Sequence, residues 1–502
     1  MRRIGSRDWL IAGLFTLLTW ATRIPFVSRY LWHFDSGNMA LGLYEFNIPK
    51  HQPHPPGYIL FMGVAKLFHL ATGDANLALV FASVFFSGLA VGLIYLFGKG
   101  FFGDKVGIWA GVFLAVNPDF WLHGEVALVY SAGAFGGILA GFVAWFLVRE
   151  RMNLRARHAL LAGFAIGVIG GLRQSDLFLL MPLWGYAFWR AGRERATALL
   201  WGAMGMVIGI FSWSVPLYLL SQGGSSLGQL LDSARDTSFF FGAPIRNHLR
   251  MVALLFVFTI ASLGPAGLIL LLAPWKRKPL REALSRDDIL MALLWIAPPF
   301  LFFSLIHFTN PGHLFLLLGA LVLAEALVAA HMSRPWLPLS LAVLSCAVFV
   351  GFVYPRFILG PDIARRSAIE VVKEHPDATL VLWSDNTSKG LTIEGEYHRF
   401  YSYYFPEREF YLLAFRRDTR DIVRFRWTHK EYLSRGAEPF AMIPGGEVLF
   451  VFHRASPDVL DSLRAWFPEG TVVERRGVMG YLALAKEPRR VKYSGMEVEF
   501  VP

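Results

Sequence analysis

The chain has 502 residues, of which 55% are hydrophobic and only 17% are charged, and its mean hydropathy is +0.45. Soluble globular proteins carry about 25% charged residues, so this composition excludes an ordinary soluble protein and predicts a membrane protein. The formal net charge of +11 lies almost entirely in residues 1–354, because residues 355–502 hold 22 Lys and Arg against 21 Asp and Glu. The basic residues of the first part occupy short loops between apolar segments, which indicates topology signals and contacts with membrane lipids rather than with nucleic acid.

About eleven apolar segments are predicted to be transmembrane helices. Basic residues precede the first segment and no small-residue cleavage site follows it, so we expect an uncleaved anchor. A shorter apolar stretch at 57–70 is predicted to be a helix at the membrane interface. Glycines spaced by four at 133–141 and 163–171 indicate close helix packing. The predicted spans are 9–26, 77–98, 106–122, 130–148, 159–172, 177–189, 198–220, 250–273, 289–306, 313–331 and 336–354.

The loops between these spans differ in charge. The loops around 149–157, 190–195 and 276–286 are rich in Arg and Lys, whereas those at 119–128 and 307–312 have none. Because positive loops stay in the cytoplasm, the N-terminus is predicted to be cytoplasmic and residues 355–502 exoplasmic. We expect the plasma membrane, and a bacterial inner membrane in particular, since no endoplasmic-reticulum retention signal is present at the C-terminus.

Residues 355–502 have the pattern of a small α/β domain. Buried strands are predicted at 380–383, 448–452 and 481–484, and a helix at 458–467. The single cysteine, Cys346, excludes disulfides within the chain and cysteine metal clusters. The predicted fold class is therefore a polytopic α-helical membrane protein with a transmembrane domain at 1–354 and a soluble α/β domain at 355–502.

The first outer loop, residues 27–58, is long for a compact membrane protein. It contains His33-Phe34-Asp35-Ser36-Gly37 and, after a segment with helical periodicity at 36–46, His54-Pro55-Pro56-Gly57-Tyr58. The Pro-Pro-Gly sequence predicts an extended turn before the interfacial helix. The loop therefore brings a carboxylate and several imidazoles to the membrane surface.

With these motifs the chain resembles the GT-C membrane glycosyltransferases, whose hallmark is a long first outer loop with an acidic residue soon after helix one. Asp-Ser-Gly followed by His-Pro-Pro-Gly-Tyr looks like the branch related to protein O-mannosyltransferases, and the motif content covers about residues 9–190. The resemblance implies sugar transfer from a polyprenyl-phosphate donor to a hydroxyl of a glycan, lipid or protein acceptor. No cofactor is required by it, although a divalent metal held by carboxylate and imidazole groups stays open.

By this resemblance Asp35 matches the catalytic acidic residue of the family. A positioned carboxylate can accept the proton of the attacking hydroxyl, and the phosphate leaving group needs no acid. The alternative is that Asp35 caps the helix at 36–46, since Asp is a favoured N-cap residue. His54 is a second catalytic candidate and His33 a binding candidate, whereas either could simply hold the loop.

The second outer loop offers Glu125 and Tyr130 as contacts for donor or acceptor. GT-C enzymes often have an acidic residue here, and Glu125 is a better candidate than Asp119. It lies farther from the aromatic residue than in related proteins, so a solvated loop acid is the alternative.

Three polar residues of the third outer loop, Arg173, Gln174 and Asp176, lie close to the bilayer core, where polar groups are often functional. Arg173 could hold a phosphate through two hydrogen bonds, whereas an Arg173–Asp176 pair that joins two helices is the alternative. His307 and His313 flank a later outer turn and could face the same site or lie among lipid headgroups.

Two other function classes remain open from the sequence. A transporter or flippase of lipid-linked saccharide would place its site near the midplane and often shows internal repeats, which are not evident here. A non-catalytic scaffold would leave the long first outer loop without a purpose. The polar outer loops therefore favour a membrane-surface enzyme.

Overall fold

A computed structural model describes residues 4–193, 196–221, 245–305, 311–385, 398–408, 410–415, 422–423, 437–438, 440–452, 457–475, 478–493 and 496–501. The chain divides into two compact units. The first unit comprises Met1–Ser28 and Gly42–Ile358, and the second comprises Arg29–Leu41 and Leu359–Pro502. The sequence did not predict that Arg29–Leu41 would group with the C-terminal residues, and the division at 354 and 355 stays a prediction.

The described residues up to Val348 are predominantly helical, because long apolar segments can satisfy their backbone groups only within themselves in a bilayer. In chain order the helices are α1 (Ser6–Arg23), α2 (Phe34–Tyr44), α3 (Ile59–Thr72), α4 (Ala75–Phe101), α5 (Asp104–Val116), α6 (Pro118–His123), α7 (Tyr130–Arg149), α8 (Ala156–Leu172), α9 (Gln174–Leu179), α10 (Met181–Gly192), α11 (Ala196–Leu220), α12 (Ile245–Leu263), α13 (Arg277–Ala283), α14 (Arg286–Leu305), α15 (Phe315–Ala330) and α16 (Trp336–Val348).

Seven helices among the described residues are long and apolar enough to cross a membrane. A pair bent by 97°, Val252–Leu263 and Pro265–Ala283, makes eight if it is one span. These eight coincide with predicted spans, while the other three predicted spans contain shorter helices, so the count of eleven stays a prediction. The seven are Ser6–Phe26, Ala75–Phe101, Tyr130–Arg149, Ala196–Leu220, Arg286–Leu305, Pro311–Ala330 and Trp336–Glu374.

Local sequence explains two of the interruptions. The predicted span 106–122 is divided at Asn117, whose side chain accepts a hydrogen bond of 2.9 Å from the backbone N–H of Phe120 and so caps α6. Pro118 follows as the first residue of that helix, where its missing N–H costs nothing. The bent pair is interrupted at Gly264, whose φ of 62° is readily adopted only by glycine.

The predicted close packing at the spaced glycines is confirmed. Side chains at Gly163 and Gly167 would clash with the backbone of α11, at Gly202 and Met206 respectively. In the other run, a side chain at Gly137 would clash with the backbone of α15. The absence of side chains therefore lets these helices approach backbone to backbone, as is usual in membrane proteins.

The second unit contains helices α17 (Gly360–Glu374), α18 (His398–Tyr404) and α19 (Pro457–Trp466). Its larger sheet has seven strands in the order β4-β3-β2-β1-β6-β8-β7, and a smaller sheet has the order β5-β10-β9. The strands are β1 (Thr379–Asp385), β2 (Phe410–Phe415), β3 (Ile422–Val423), β4 (Ala437–Glu438), β5 (Phe440–Pro444), β6 (Gly446–Phe452), β7 (Thr471–Arg475), β8 (Val478–Ala485), β9 (Arg489–Tyr493) and β10 (Met496–Val501).

The centre of the larger sheet is parallel, with β1 between β2 and β6. The strands predicted at 380–383, 448–452 and 481–484 lie within β1, β6 and β8, and the helix predicted at 458–467 overlaps α19. β1 and β6 are continuous apolar runs because residues on both of their faces are buried, whereas Leu484 of β8 is exposed. Val381, Phe450, Leu463 and Tyr481 belong to one buried cluster that joins strands to α19.

Candidate active site

In the second unit, the first turn of α2 is organised by polar side chains around Asp35. The Nδ1 atom of His33 lies 3.1 Å from the backbone N–H of Asp35. The hydroxyl of Ser36 accepts a 3.1 Å hydrogen bond from the backbone N–H of His33. His33 Nδ1 is also 3.3 Å from Asp35 Oδ2.

The predicted alternative role of Asp35, as the N-cap of a helix at 36–46, is wrong. The helix begins at Phe34, so His33 occupies the cap position and Asp35 lies in the first turn. Histidine is not among the preferred caps, which is why the pattern pointed to Asp35. The Asp35 side chain is 16% exposed, so it can meet a substrate, and His33 beside it is 8% exposed.

The residues before α2 are held by α17. The backbone N–H of Arg29 donates to Asp362 Oδ2 at 2.7 Å, and the Arg365 guanidinium donates to the backbone carbonyl of Trp32 at 2.5 Å. Arg365 and Asp362 are themselves 3.6 Å apart and both are buried. Both hydrogen bonds join residues 333 positions apart, and no motif in the sequence signals them.

The short helix α18 contacts the same segment. The hydroxyl of Tyr404 accepts a 3.2 Å hydrogen bond from the backbone N–H of Leu31. A Cβ atom at Gly37 would lie 2.8 Å from the Cβ of Arg399, so α2 and α18 touch where Gly37 has no side chain. Arg399 is buried, and Gly37, which it contacts, lies two positions after Asp35 in α2. Sequence reasoning missed both helices as part of the site.

In the first unit, His54 and Gln174 are both tied to the turn before α3. His54 Nε2 and the Tyr58 hydroxyl are 3.0 Å apart, and their rings are in edge contact. The Gln174 side-chain amide donates to the backbone carbonyl of Pro56 at 3.2 Å. The first and third outer loops therefore meet at the Pro55-Pro56 turn.

Arg173 lies at the junction between α8 and α9, beside Asp176. Its Nε atom is 3.7 Å from Asp176 Oδ1, and its guanidinium lies 5.9 Å from the centre of the Phe303 ring. Burial raises the pKa of the Asp176 carboxyl to about 6, although the charge of Arg173 and the Ser175 hydroxyl lower it. The pair predicted as an alternative is therefore present.

A chain of ring contacts continues from Phe303. The His313 ring stacks on Phe303 with centres 4.9 Å apart and also contacts Tyr130 at 5.5 Å. Tyr130 in turn contacts the ring of His123 at 5.5 Å. Through these contacts Arg173, Tyr130 and His313, three of the predicted binding residues, belong to one cluster.

His123 connects this cluster to Asp119. His123 Nδ1 lies 3.2 Å from Asp119 Oδ1, and Ser262 donates its hydroxyl proton to Asp119 Oδ2 at 2.5 Å. The spacing of four residues on a helix was the signal that could have found this pair.

Glu125 faces a different group of residues. The indole N–H of Trp121 donates to Glu125 Oε1 at 2.5 Å, and the guanidinium of Arg23 lies 4.3 Å from the centre of the Trp121 ring. Glu125 and Arg23 are fully buried, and burial raises the pKa of the Glu125 carboxyl although the charge of Arg23 lowers it. Arg23 donates to the backbone carbonyl of Ala115 at 2.7 Å.

The predicted site residues are thus distributed over three places. Asp35 and His33 lie in the second unit, Glu125 lies with Arg23, and His307 lies outside the described residues. In the part of the chain that the structure describes, no three His, Cys, Asp or Glu side chains are grouped to hold a metal, and the question of a divalent metal stays open. The remaining residues gather along the third outer loop: His54, Tyr130, Arg173, Gln174, Asp176 and His313.

Comparison with known proteins identifies solved structures that align with this chain. ArnT from Cupriavidus metallidurans bound to undecaprenyl phosphate aligns with a TM-score of 0.60 and 13% identity, over 96% of this chain and 99% of that one. The same protein in the apo state gives a TM-score of 0.57 and 15% identity, over 94% and 97%. Oligosaccharyltransferase AglB from Archaeoglobus fulgidus, with an inhibitory peptide and a dolichol-phosphate, gives 0.44 and 12% identity, over 79% and 63%.

No family model matches the chain, and no curated protein matches it. At this level of identity, the likeness to ArnT shows the fold alone. This chain therefore shares the ArnT fold over nearly its whole length. The likeness to the protein O-mannosyltransferase branch stays a prediction.

Proposed function

We propose that the chain is a membrane glycosyltransferase that moves a sugar from a polyprenyl-phosphate-linked donor to an acceptor hydroxyl on the exoplasmic side. The observation that carries the proposal is the shared fold with ArnT bound to undecaprenyl phosphate, which extends over 96% of this chain and 99% of that one. Undecaprenyl phosphate is a lipid phosphate of the proposed donor class. Polar outer loops over apolar helices agree with a lipid donor that enters from the bilayer.

Arg173 is the proposed contact for the donor phosphate. A guanidinium can hold a phosphate through two parallel hydrogen bonds. Its 3.7 Å distance to Asp176 is longer than a charge-assisted hydrogen bond of about 2.8 Å. Gln174 and His54 meet at the neighbouring turn and are proposed to orient the donor headgroup.

Asp35 is the proposed base for the acceptor. The acceptor oxygen attacks the anomeric carbon of the sugar, and the bond between that carbon and the phosphate oxygen breaks. The proton of the acceptor hydroxyl passes to the Asp35 carboxylate, and the polyprenyl phosphate leaves with both electrons of the broken bond. His33 Nδ1 accepts the backbone N–H of Asp35 and so holds the start of α2 beside the carboxylate.

The test is a transfer assay with purified protein in liposomes. Polyprenyl-phosphate donors, each with one radiolabelled sugar, are offered with a membrane extract as acceptor, and labelled product is separated from donor. We expect transfer by the parent protein and loss of transfer by Asp35→Asn. A parent protein that transfers no sugar from any hexosyl or pentosyl donor would refute the proposal.

One observation favours the alternative, a transporter or flippase of lipid-linked saccharide. Glu325 is fully buried in the apolar segment Pro311–Ala330, and neither of its carboxylate oxygens has a hydrogen-bond partner among the described residues. Ionisable residues within membrane spans often mark transport pathways. The same liposomes distinguish the two, because a flippase would move labelled lipid to the other leaflet without forming a new glycosidic bond.

Further details belong to the same proposal. We infer a cytoplasmic N-terminus, an exoplasmic C-terminal α/β domain and about eleven spans from the loop charges and the apolar pattern. A bacterial inner membrane and a mannosyltransferase-like donor are proposed from the sequence. The acceptor class, whether glycan, lipid or protein, is left to the acceptor fractions of the transfer assay.

A further inference from the structure

The segment that carries Asp35 belongs to the same compact unit as the C-terminal residues. Arg29–Leu41 group with Leu359–Pro502 although more than 300 residues of chain separate them. The segment joins α1 to α2 and contains both the cap of α2 and the proposed base. The C-terminal residues are therefore the structural neighbours of the reacting carboxylate.

Two buried residues of α17 hold the first residues of the segment Arg29–Leu41. Asp362 accepts the backbone N–H of Arg29, and Arg365 donates to the backbone carbonyl of Trp32. Both contacts are hydrogen bonds between a charged side chain and the backbone, a class that is roughly twice as strong as neutral bonds. Trp32 immediately precedes His33, the cap of α2, so the bond from Arg365 sets where the helix starts.

Helix α18 fixes the segment from a second side. Tyr404 binds the backbone at Leu31, and the ring of Tyr30 lies 6.1 Å from the ring of Tyr404. Beyond the cap, Gly37 packs directly on Arg399 with no room for a side chain. Contacts on both sides of Asp35 thus come from the C-terminal helices.

We propose that α17 and α18 position Asp35 for catalysis, and that Arg365 is the principal positioning residue. The expected effect on turnover rests on the proposed function. The contacts of α17 and α18 with residues 29–37, called the tether below, do not depend on it. A misplacement of about 1 Å can lower turnover a hundredfold, because the attacking and accepting atoms must be aligned. The C-terminal helices therefore form part of the catalytic machinery instead of an appended module.

The tether is tested by hydrogen–deuterium exchange of the full-length protein in detergent. Arg365→Met removes the donors and keeps an apolar stem, whereas Arg365→Lys keeps a cation that can donate but lacks the planar guanidinium. Lys373→Met changes an exposed cation on the same helix and is the matched control. We expect faster exchange at residues 29–37 in the Met variant, partial recovery in the Lys variant and no change in the control, since exchange reports local opening.

Turnover is measured on the same preparations. We expect Arg365→Met to lower kcat by about tenfold to a hundredfold, as for a slightly misplaced reacting group, with donor KM changed less than twofold. Arg365→Lys should recover part of the loss. If residues 29–37 of the Met variant exchange at the rate of the parent protein, the tether is refuted. If they exchange faster but kcat equals that of the parent, the role of the tether in catalysis is refuted. If the parent transfers no sugar, the proposed function fails while the exchange result still decides the tether.

A second variant approaches the contact from α2. The methyl group of Gly37→Ala would lie 2.8 Å from the Arg399 Cβ and 3.2 Å from its carbonyl carbon, so one of the two helices must shift. We expect the same signature, faster exchange at 29–37 and lower kcat with unchanged donor KM. Parental values for both would show that the contact with α18 does not position Asp35.

Discussion

Replacement of Asp35 by Asn separates the chemistry of this residue from its structural role. The two capping bonds at the start of α2 use the backbone N–H groups of Asp35 and His33, the His33 ring and the Ser36 hydroxyl. An Asn at position 35 leaves all of these groups in place. It removes only the negative charge, which is the property that a general base needs.

The expected magnitudes differ clearly. Loss of a charge near a helix N-terminus costs about 0.3–1 kcal/mol of stability, and a partly exposed contact such as that with His33 adds about 0–1 kcal/mol. Loss of a positioned base lowers the rate by about 10²–10⁴-fold. At about 1.36 kcal/mol per tenfold, this is roughly 2.7–5.4 kcal/mol of transition-state stabilisation. Turnover should therefore fall far more than stability.

The assay is single-turnover transfer by purified protein, with thermal unfolding measured on the same sample. The matched control is Asp74→Asn, which changes an exposed Asp at the N-terminus of α4, where Asp74 Oδ1 caps by accepting the Leu77 N–H at 2.7 Å. We expect the control to turn over at the parental rate. Turnover by Asp35→Asn within threefold of the parent would refute the catalytic role and leave the fold untouched.

Three further outcomes are expected. Arg173→Lys keeps the charge but loses the fork geometry, so donor KM should rise about tenfold, and an unchanged KM would exclude a phosphate contact. Burial raises the pKa of Asp176 from 3.8 to about 6, so the folded state holds this proton more tightly and stability falls as pH rises between these values. Asp176→Asn should remove that part of the pH dependence in thermal unfolding from pH 4 to 7. An alkaline phosphatase fused after Pro502 should be active, because residues 355–502 are predicted to be exoplasmic, and a reporter active only in the cytoplasm would contradict this.

Features that depend on neighbouring residues were readable from the sequence. Continuous apolar runs predicted the helices that are long enough to span a membrane, and spaced glycines predicted the packing of α8 on α11. The strands β1 and β6 were recognisable because central strands are apolar on both faces. In each case the information lies within one element of the chain.

Contacts between distant parts of the chain were not readable. Asp362 and Arg365 look like ordinary helix-surface charges at a spacing of three, and only the fold shows that both bind the segment before α2. The cap of α2 was misassigned for a related reason. A histidine was not an obvious cap, so Asp35 received that role although the helix starts one residue before it.

The two acidic residues of the second outer loop, Asp119 and Glu125, have different partners because of the short helix α6. The sequence favoured Glu125 over Asp119 as the acidic residue of this loop. Helix α6 turns by about 100° per residue, so Asp119 and His123, which are spaced by four, share one face. Trp121, two residues after Asp119, lies on the opposite face, and Glu125 follows the end of the helix. Asp119 therefore pairs with His123, and Glu125 with Trp121.

These two faces have different consequences for the site. The Asp119–His123 pair reaches Tyr130 through a ring contact and is thereby part of the cluster that contains Arg173. Glu125 is instead buried with Trp121 beside Arg23, and its backbone carbonyl accepts the N–H of Ser28 at 2.9 Å. Ser28 is the last residue before the segment that carries Asp35. Asp119 thus stands nearer to the proposed donor contact, whereas Glu125 anchors the chain where the segment of the proposed base begins.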